Sequence, residues 1–252
     1  MKLLASDYDG TLRMQDKVDV AVIEAIKAFQ AAGNIFGIAT GRCIDLVKCE
    51  LDGQNIPYDF IIGNNGGTII DKNGKLLENN LLDTEIAKKI LQILGSFKPD
   101  QLGVSDGLTY ATNYPMLETL MPSLRFYDYQ KPDVLKVIAK GDITSIFVYF
   151  KDFHKKQKAM AAIKGLIENL ACSTNDEMIS VCNKGINKQY GVATIAKYFN
   201  VDEVYVIGDD YNDVEMVAHY HGFTVERANK MIKKIASKQF KDVKEAIEYL
   251  MG

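Results

Sequence analysis

The sequence contains no tryptophan, three histidines and four cysteines among its 252 residues. Cys43, Cys49, Cys172 and Cys182 form no C-x-x-C pair. The chain is long and apolar enough to fold without staples, so these read as reduced thiols of a cytoplasmic protein. His219 and His221 flank Tyr220 with no third ligand in sight, which argues against zinc. A cysteine phosphatase would need arginine six residues after its nucleophile; Cys49 stands there for Cys43, and Asn55 for Cys49. Gly74-Lys75 is followed by Leu76, so the Walker lysine motif is missing, and no G-x-G-x-x-G occurs. The short apolar start ends at Asp7, too soon for a signal peptide. No apolar run reaches the length of a membrane span. With 30 basic and 33 acidic side chains the net charge is −3, which speaks against a nucleic-acid binder.

What the chain does have is apolar mass in regular rhythm. Apolar residues make up 47%, and mean hydropathy is −0.08, a composition that supports a sizeable core. Strand-like runs Lys2–Ser6, Asn34–Ala39 and Asp59–Gly63 alternate with helical patterns over Val20–Ala32 and Ile44–Leu51. That order predicts a parallel sheet with covering helices. Asn73-Gly74, between the runs Gly67–Ile70 and Lys75–Glu78, predicts a hairpin with a type I′ turn. Beyond Leu82 the pattern predicts a helix to Gly95, strands Gln101–Ser105, Leu108–Thr112, Thr144–Phe150 and Glu177–Asn183, and a long helix Phe153–Asn169. This middle stretch reads as α+β and largely antiparallel. The α/β rhythm returns with helix Lys188–Phe199, strand Glu203–Ile207 and helices starting at Val214 and Lys241. The expected architecture is therefore one α/β domain (1–82 and 184–252) interrupted by an α+β insertion (83–183).

Chemistry gathers where predicted strands end, the edge at which parallel sheets collect ligands. Asp7-Tyr8-Asp9-Gly10-Thr11-Leu12 follows the first strand and places two carboxylates at one crevice. Gly208-Asp209-Asp210-Tyr211-Asn212-Asp213 follows Val204–Ile207. If these strands are neighbours, Asp7, Asp209 and Asp213 converge, and three unpaired carboxylates repel one another. A hard divalent cation relieves that, and oxygen-only ligands favour Mg2+. Helix capping would need one such residue rather than four. Thr40-Gly41-Arg42, at another strand end and a helix start, suits a phosphate oxygen. Lys188 opens a helix after the insertion; by itself it is one basic residue among thirty.

Asp7-x-Asp9-Gly10-Thr11, Thr40, Lys188 and Gly208-Asp209-x-x-Asn212-Asp213, in that order, resemble the four motifs of the haloacid dehalogenase (HAD) superfamily. The insertion between the second and third motifs resembles the C2 cap, and Asn65-Gly66-Gly67 together with the approach to Lys188 looks like the Cof-like, type IIB branch. The resemblance implies a Rossmann-like parallel sheet core with helices on both faces, interrupted by a smaller α+β cap domain. It implies a Mg2+-dependent phosphatase of small phosphomonoesters that works through an aspartyl-phosphate. Asp7 would be the nucleophile. Asp9 would serve as acid and then base, its backbone carbonyl also meeting Mg2+. Thr11, Thr40, Gly41 and Lys188 would meet the phosphoryl group, while Asp209, Asn212 and Asp213 would complete or support the metal site. Arg42, Tyr110, Asn113, Arg125 and Asn229 are candidate substrate contacts. The last of these follows a departure: Val225-Glu226-Arg227-Ala228 stands where a Gly-Asn-Ala segment is usual. A phosphomutase, a phospho-acceptor signalling domain and a phosphosugar-binding protein without turnover remain alternatives. The expected partner is a small phosphorylated metabolite, with no nucleic acid and no membrane, for a monomer or homodimer.

Overall fold

The computed structural model describes residues 1–14, 17–112, 134–174 and 178–252. Asn113 and Arg125 lie outside them. The first sheet is built from β1 (Lys2–Ser6), β2 (Ile35–Ala39), β3 (Phe60–Gly63), β4 (Thr68–Asp71), β5 (Leu76–Asn79), β11 (Glu203–Gly208), β12 (Phe223–Val225) and β13 (Lys238–Phe240). Its eight strands run in the order β13-β12-β11-β1-β2-β3-β4-β5. Pairing is parallel from β13 through β3 and antiparallel for β4 and β5. Successive crossovers lead away from β1 on one side and away from β11 on the other. The order therefore reverses between β1 and β11, the switch point at which such sheets open a crevice.

β1 is apolar without alternation because both faces of a parallel sheet are covered. Leu4 faces one core cluster with Phe36, Ile38, Ile61 and Ile207. Leu3 and Ala5, of opposite parity, face a second cluster with Ile35, Phe60, Ile62 and Val206. Helices α1 (Val20–Ala31), α2 (Ile44–Gly53), α8 (Lys230–Ile235) and α9 (Val243–Met251) cover the first face; α6 (Lys188–Phe199) and α7 (Val214–His219) cover the second. α1 begins where the Asp19 carboxylate accepts the Ala21 N–H at 2.8 Å. It buries Val22, Ile23, Ile26 and Phe29, spaced to share one helix face.

The second sheet is antiparallel: β6 (Gln101–Ser105), β7 (Tyr110–Thr112), β8 (Ser145–Tyr149), β9 (Leu170–Thr174) and β10 (Met178–Asn183), in the order β7-β6-β8-β10-β9. With α3 (Thr84–Ser96), α4 (Val134–Lys140) and α5 (Phe153–Ile163) it has a separate core containing Ile90, Leu94, Val137, Ile146, Val148, Ile163 and Val181. No helix among the described residues is long and apolar enough to cross a membrane.

Several local expectations change. The long helix predicted to Asn169 ends at Ile163, and the residues after it return as β9, which the sequence pattern missed. β12, α8 and β13 were not foreseen either: the two strands have three residues each, too short to show a period. The Asn73-Gly74 turn is not type I′, because only Gly74 takes positive φ (+78°). The Asp71 carboxylate accepts the N–H groups of Asn73 and Lys75, both at 2.9 Å, and this side-chain turn leaves a bulge between Ile69 and Ile70. All four cysteines are free thiols.

α1 supplies a paired stability test. Phe29 is fully buried and Val20 is 70% exposed. Phe29→Ala is expected to lower unfolding free energy by about 3–5 kcal/mol, and Val20→Ala to change it by no more than about 0.5 kcal/mol. Urea titration of the two variants checks both.

Candidate active site

The crevice between β1 and β11 gathers the carboxylates. Asp7 continues the ladder, its N–H bonded to the Ile207 carbonyl at 2.9 Å. The chain then turns tightly, with Leu12 N–H to the Asp7 carbonyl at 3.3 Å and Arg13 N–H to the Tyr8 carbonyl at 2.7 Å. Gly10 makes this turn at φ +87°, and a Cβ there would lie 2.4 Å from Asp209 Oδ2. Glycine is thus required by conformation and by space. Thr11 Oγ1 donates to Asp209 Oδ1 at 2.9 Å, tying the two strand-end loops together.

Lys188, at the start of α6 and fully buried, donates from Nζ to Asp7 Oδ1 at 2.5 Å and to Asp213 Oδ1 at 2.7 Å. Asp213 Oδ2 accepts the N–H groups of Asp209 and Asp210 at 3.0 and 3.1 Å. Both of its oxygens are therefore engaged with the chain. Asp7 Oδ2 is the contrast, a buried oxygen with no hydrogen-bond partner. Burial, helped by the charges of Asp213 and Asp209, pushes Asp7 well above the usual carboxylate range, against the pull of Lys188. Burial likewise raises Asp209, with Asp213 and Asp210 adding to the effect. Burial alone would lower Lys188, but Asp213 and Asp7 outweigh it and hold the ammonium charged.

Asp7, Asp209 and Asp213 each present an oxygen within 4.8 Å of the other two. Oxygen-only donors of like charge, one of them unpartnered and buried, fit a hard divalent cation. Asn212 sits beside this group, its Nδ2 donating to Asn65 Oδ1 at 3.0 Å. Asn65, which adopts φ +52°, also gives its N–H to the Thr40 carbonyl at 2.9 Å, so it joins the loops after β2 and β11. Thr40 is buried; its Oγ1 accepts the Arg42 N–H at 3.1 Å and its own N–H meets the Ile62 carbonyl at 2.8 Å.

The Asp9 carboxylate is held by guanidinium groups. Arg42 Nε donates to Asp9 Oδ2 and Nη2 to Oδ1, both at 2.7 Å, and Arg13 Nη2 reaches Oδ1 at 2.7 Å. Burial would raise Asp9, but Arg42 and Arg13 more than offset it, and the carboxyl titrates below its usual range. Arg42 is itself buried and completes its pairing with Glu50. Glu50 and Arg13 were not singled out from the sequence. A visible trace was Glu50 between Val47 and Leu51 on the buried face of α2, where a lone carboxylate needs a partner.

The other candidates have structural partners. Tyr110 Oη, from β7, donates to the Gly41 carbonyl at 2.8 Å and so ties the second sheet to the loop after β2. Asn229 caps α8 by accepting the Met231 and Ile232 N–H groups, and its Nδ2 reaches Asp210 Oδ1 at 2.8 Å. Asn229 thus bridges the loop of altered sequence to the acidic loop.

Two outcomes test this electrostatic arrangement. Lys188→Met strands two buried carboxylates and is expected to lower stability by about 3–5 kcal/mol. Asp209→Asn removes a carboxylate whose titration the fold has raised. Without metal, the variant's melting temperature should exceed the parent's by a margin absent in acid. That margin should grow as pH rises through the raised titration and then level off. Melting curves across pH, taken in chelator, check the sign.

The profile of the haloacid dehalogenase-like hydrolases matches residues 4–249. Among curated relatives, the 5-amino-6-(5-phospho-D-ribitylamino)uracil phosphatase YwtE of Bacillus subtilis is 28% identical over 243 residues, covering 86% of this chain and 84% of its own length. A haloacid dehalogenase-like hydrolase from Bacteroides thetaiotaomicron superposes with a TM-score of 0.83 at 21% identity, covering 99% of both chains. The HAD subclass IIB sugar phosphatase BT4131 does so with a TM-score of 0.80 at 19% identity, covering 100% of this chain and 99% of its own. The chain belongs to the haloacid dehalogenase-like hydrolase family.

Proposed function

We propose that this HAD phosphatase is a Mg2+-dependent hydrolase of small phosphomonoesters, with Asp7 as its nucleophile. The observation that carries the reading is Asp7 itself. One oxygen is pinned by Lys188 while the other is buried and unpartnered. In the first step Asp7 attacks phosphorus, an Asp7–phosphorus bond forms, and the bond to the ester oxygen breaks. Asp9, which Arg42 and Arg13 hold ionised at rest, takes up a proton from the bound monoester monoanion and delivers it to that leaving oxygen. In the second step Asp9 takes a proton from water, whose oxygen displaces Asp7 and releases inorganic phosphate. Lys188 keeps Asp7 oriented and offsets charge on the phosphoryl oxygens. Thr11, Thr40 and the N–H of Gly41 line the phosphoryl position.

Asp7 and Asp209, with the Asp9 main-chain carbonyl, would hold Mg2+, supported by Asp213 and Asn212. When bound, the ion offsets the charge of the clustered carboxylates and of the phosphoryl group. In this reading residues 1–82 and 184–252 form the catalytic domain and 83–183 a cap that selects the alcohol. Arg42, Tyr110, Asn113, Arg125 and Asn229 remain the substrate-facing candidates. The names of the relatives support a phosphorylated polyol or sugar as the substrate class.

Two measurements test the reading. Phosphate release from a panel of sugar and polyol phosphates should require Mg2+, stop in EDTA, and fall at least about a thousandfold in Asp7→Asn. Isomerised sugar phosphate with no free phosphate would mark a mutase instead. Independently of turnover, Mg2+ at a hundred times its dissociation constant should stabilise the parent by about 2.7 kcal/mol. The same addition should leave the melting temperature of Asp209→Asn nearly unchanged.

A further inference from the structure

Glu50 is an anomaly of α2. Its carboxylate is fully buried in the helix face that packs with Val47 and Leu51. An apolar side chain of that volume would serve packing as well, and often better. The carboxylate has two firm partners. Arg42 Nη1 donates to Oε1 at 2.8 Å, and Tyr8 Oη donates to Oε2 at 2.8 Å. Arg13 Nε lies 3.7 Å from Oε2. Tyr8 is also fully buried, and both guanidiniums stand over its ring, Arg42 at 5.2 Å and Arg13 at 5.8 Å from the centroid.

These contacts fix Arg42 on two sides. Glu50 holds the Nη1 end and the Tyr8 ring supports the guanidinium face. What remains is the Nε–Nη2 edge, and that edge grips both oxygens of Asp9. The Asp9 side chain is 43% exposed, so without this grip it would have free rotamers. A planar fork held from behind defines one place for the carboxyl, and placement of a proton donor governs its effectiveness.

We propose that Glu50, with the Tyr8 hydroxyl, is a positioning residue for proton transfer by Asp9, acting through Arg42. This rests on the phosphatase reading above. Asp9 matters most when the departing oxygen needs a proton. An alkyl phosphate leaves as an alcohol and requires one; p-nitrophenyl phosphate leaves as a stable phenolate and does not. A residue that merely supports the fold would affect both esters alike.

The test is Glu50→Gln, which keeps the volume and one acceptor. Expected is a fall in kcat/KM of at least about tenfold for an alkyl phosphate such as glycerol phosphate. For p-nitrophenyl phosphate the change should stay within about twofold, and in an Asp9→Ala background Glu50→Gln should change the alkyl rate by no more than about twofold. Equal losses on the two esters, or full additivity with Asp9→Ala, overturn the proposal while the phosphatase reading stands. A parent that releases no phosphate from either ester with Mg2+ overturns both. Should Glu50→Gln fail to fold, Tyr8→Phe removes a single hydroxyl and faces the same criterion. A loss confined to the alkyl ester supports the positioning role, and an equal loss refutes it.

Discussion

The Lys188 ammonium, shared between Asp7 and Asp213, is the interaction on which the rest of the crevice depends. It is buried and short on both sides, and it joins three distant parts of the chain: the first strand end, the helix after the insertion, and the loop after β11. Without it the switch point would hold carboxylates with no compensating charge. With it, Asp7 has one fixed oxygen and one free, the condition a nucleophile needs. Asp213 meanwhile spends its second oxygen on the backbone of its own loop, which sets where Asp209 sits. One cation therefore organises both the proposed nucleophile and the proposed metal ligand.

The same economy governs the contact between the two sheets. α2 begins beside the loop after β2, and its first N–H groups are satisfied by carbonyls from the loop between β6 and β7. Ile44 N–H meets Gly107 at 3.3 Å, and Asp45 N–H meets Leu108 at 2.8 Å. A helix start that would otherwise offer open donors is closed by the inserted segment. Asn64 Nδ2 adds a bond to the Gly107 carbonyl at 2.8 Å, and Tyr110 holds Gly41. Contacts made by the insertion thus fall on the residues flanking Thr40. A change in how the second sheet sits would be felt directly at the proposed phosphoryl position.

The parallel strands and the site loops were legible because their information is local. A two-faced apolar run ending in Asp-x-Asp-Gly, or in Gly-Asp-Asp, states strand, edge and chemistry within ten residues. What was illegible depends on partners far along the chain. Asp9 reads as a free carboxylate until Arg42 folds against it. Glu50 shows only as a carboxylate among apolar helix positions until Tyr8 and Arg42 are seen on either side of it. Asn229 reads as a substrate contact, whereas its amide is spent on a helix cap and on Asp210. β12 and β13 are held by neighbours rather than by propensity, so three residues suffice there and no period betrays them. The helix from Phe153 was overextended because Leu166, Ile167 and Leu170 keep a helical spacing while packing as a turn and a strand on the same core.

Charge balance carries the argument one step further. Around the crevice stand Asp7, Asp9, Glu50, Asp209, Asp210 and Asp213, faced by Arg13, Arg42 and Lys188. Each buried cation is already shared by two carboxylates: Arg42 by Asp9 and Glu50, Lys188 by Asp7 and Asp213. With its charge so divided, neither offsets a phosphoryl dianion by itself. Among the described residues of the crevice, the further positive charge such an ester calls for would come from the proposed divalent cation. The unpartnered oxygen of Asp7 and the raised titration of Asp209 mark where that charge is wanted. In the proposed reading, the acidity of the crevice, which would repel a phosphate ester on its own, is what would make a divalent cation and such an ester compatible there.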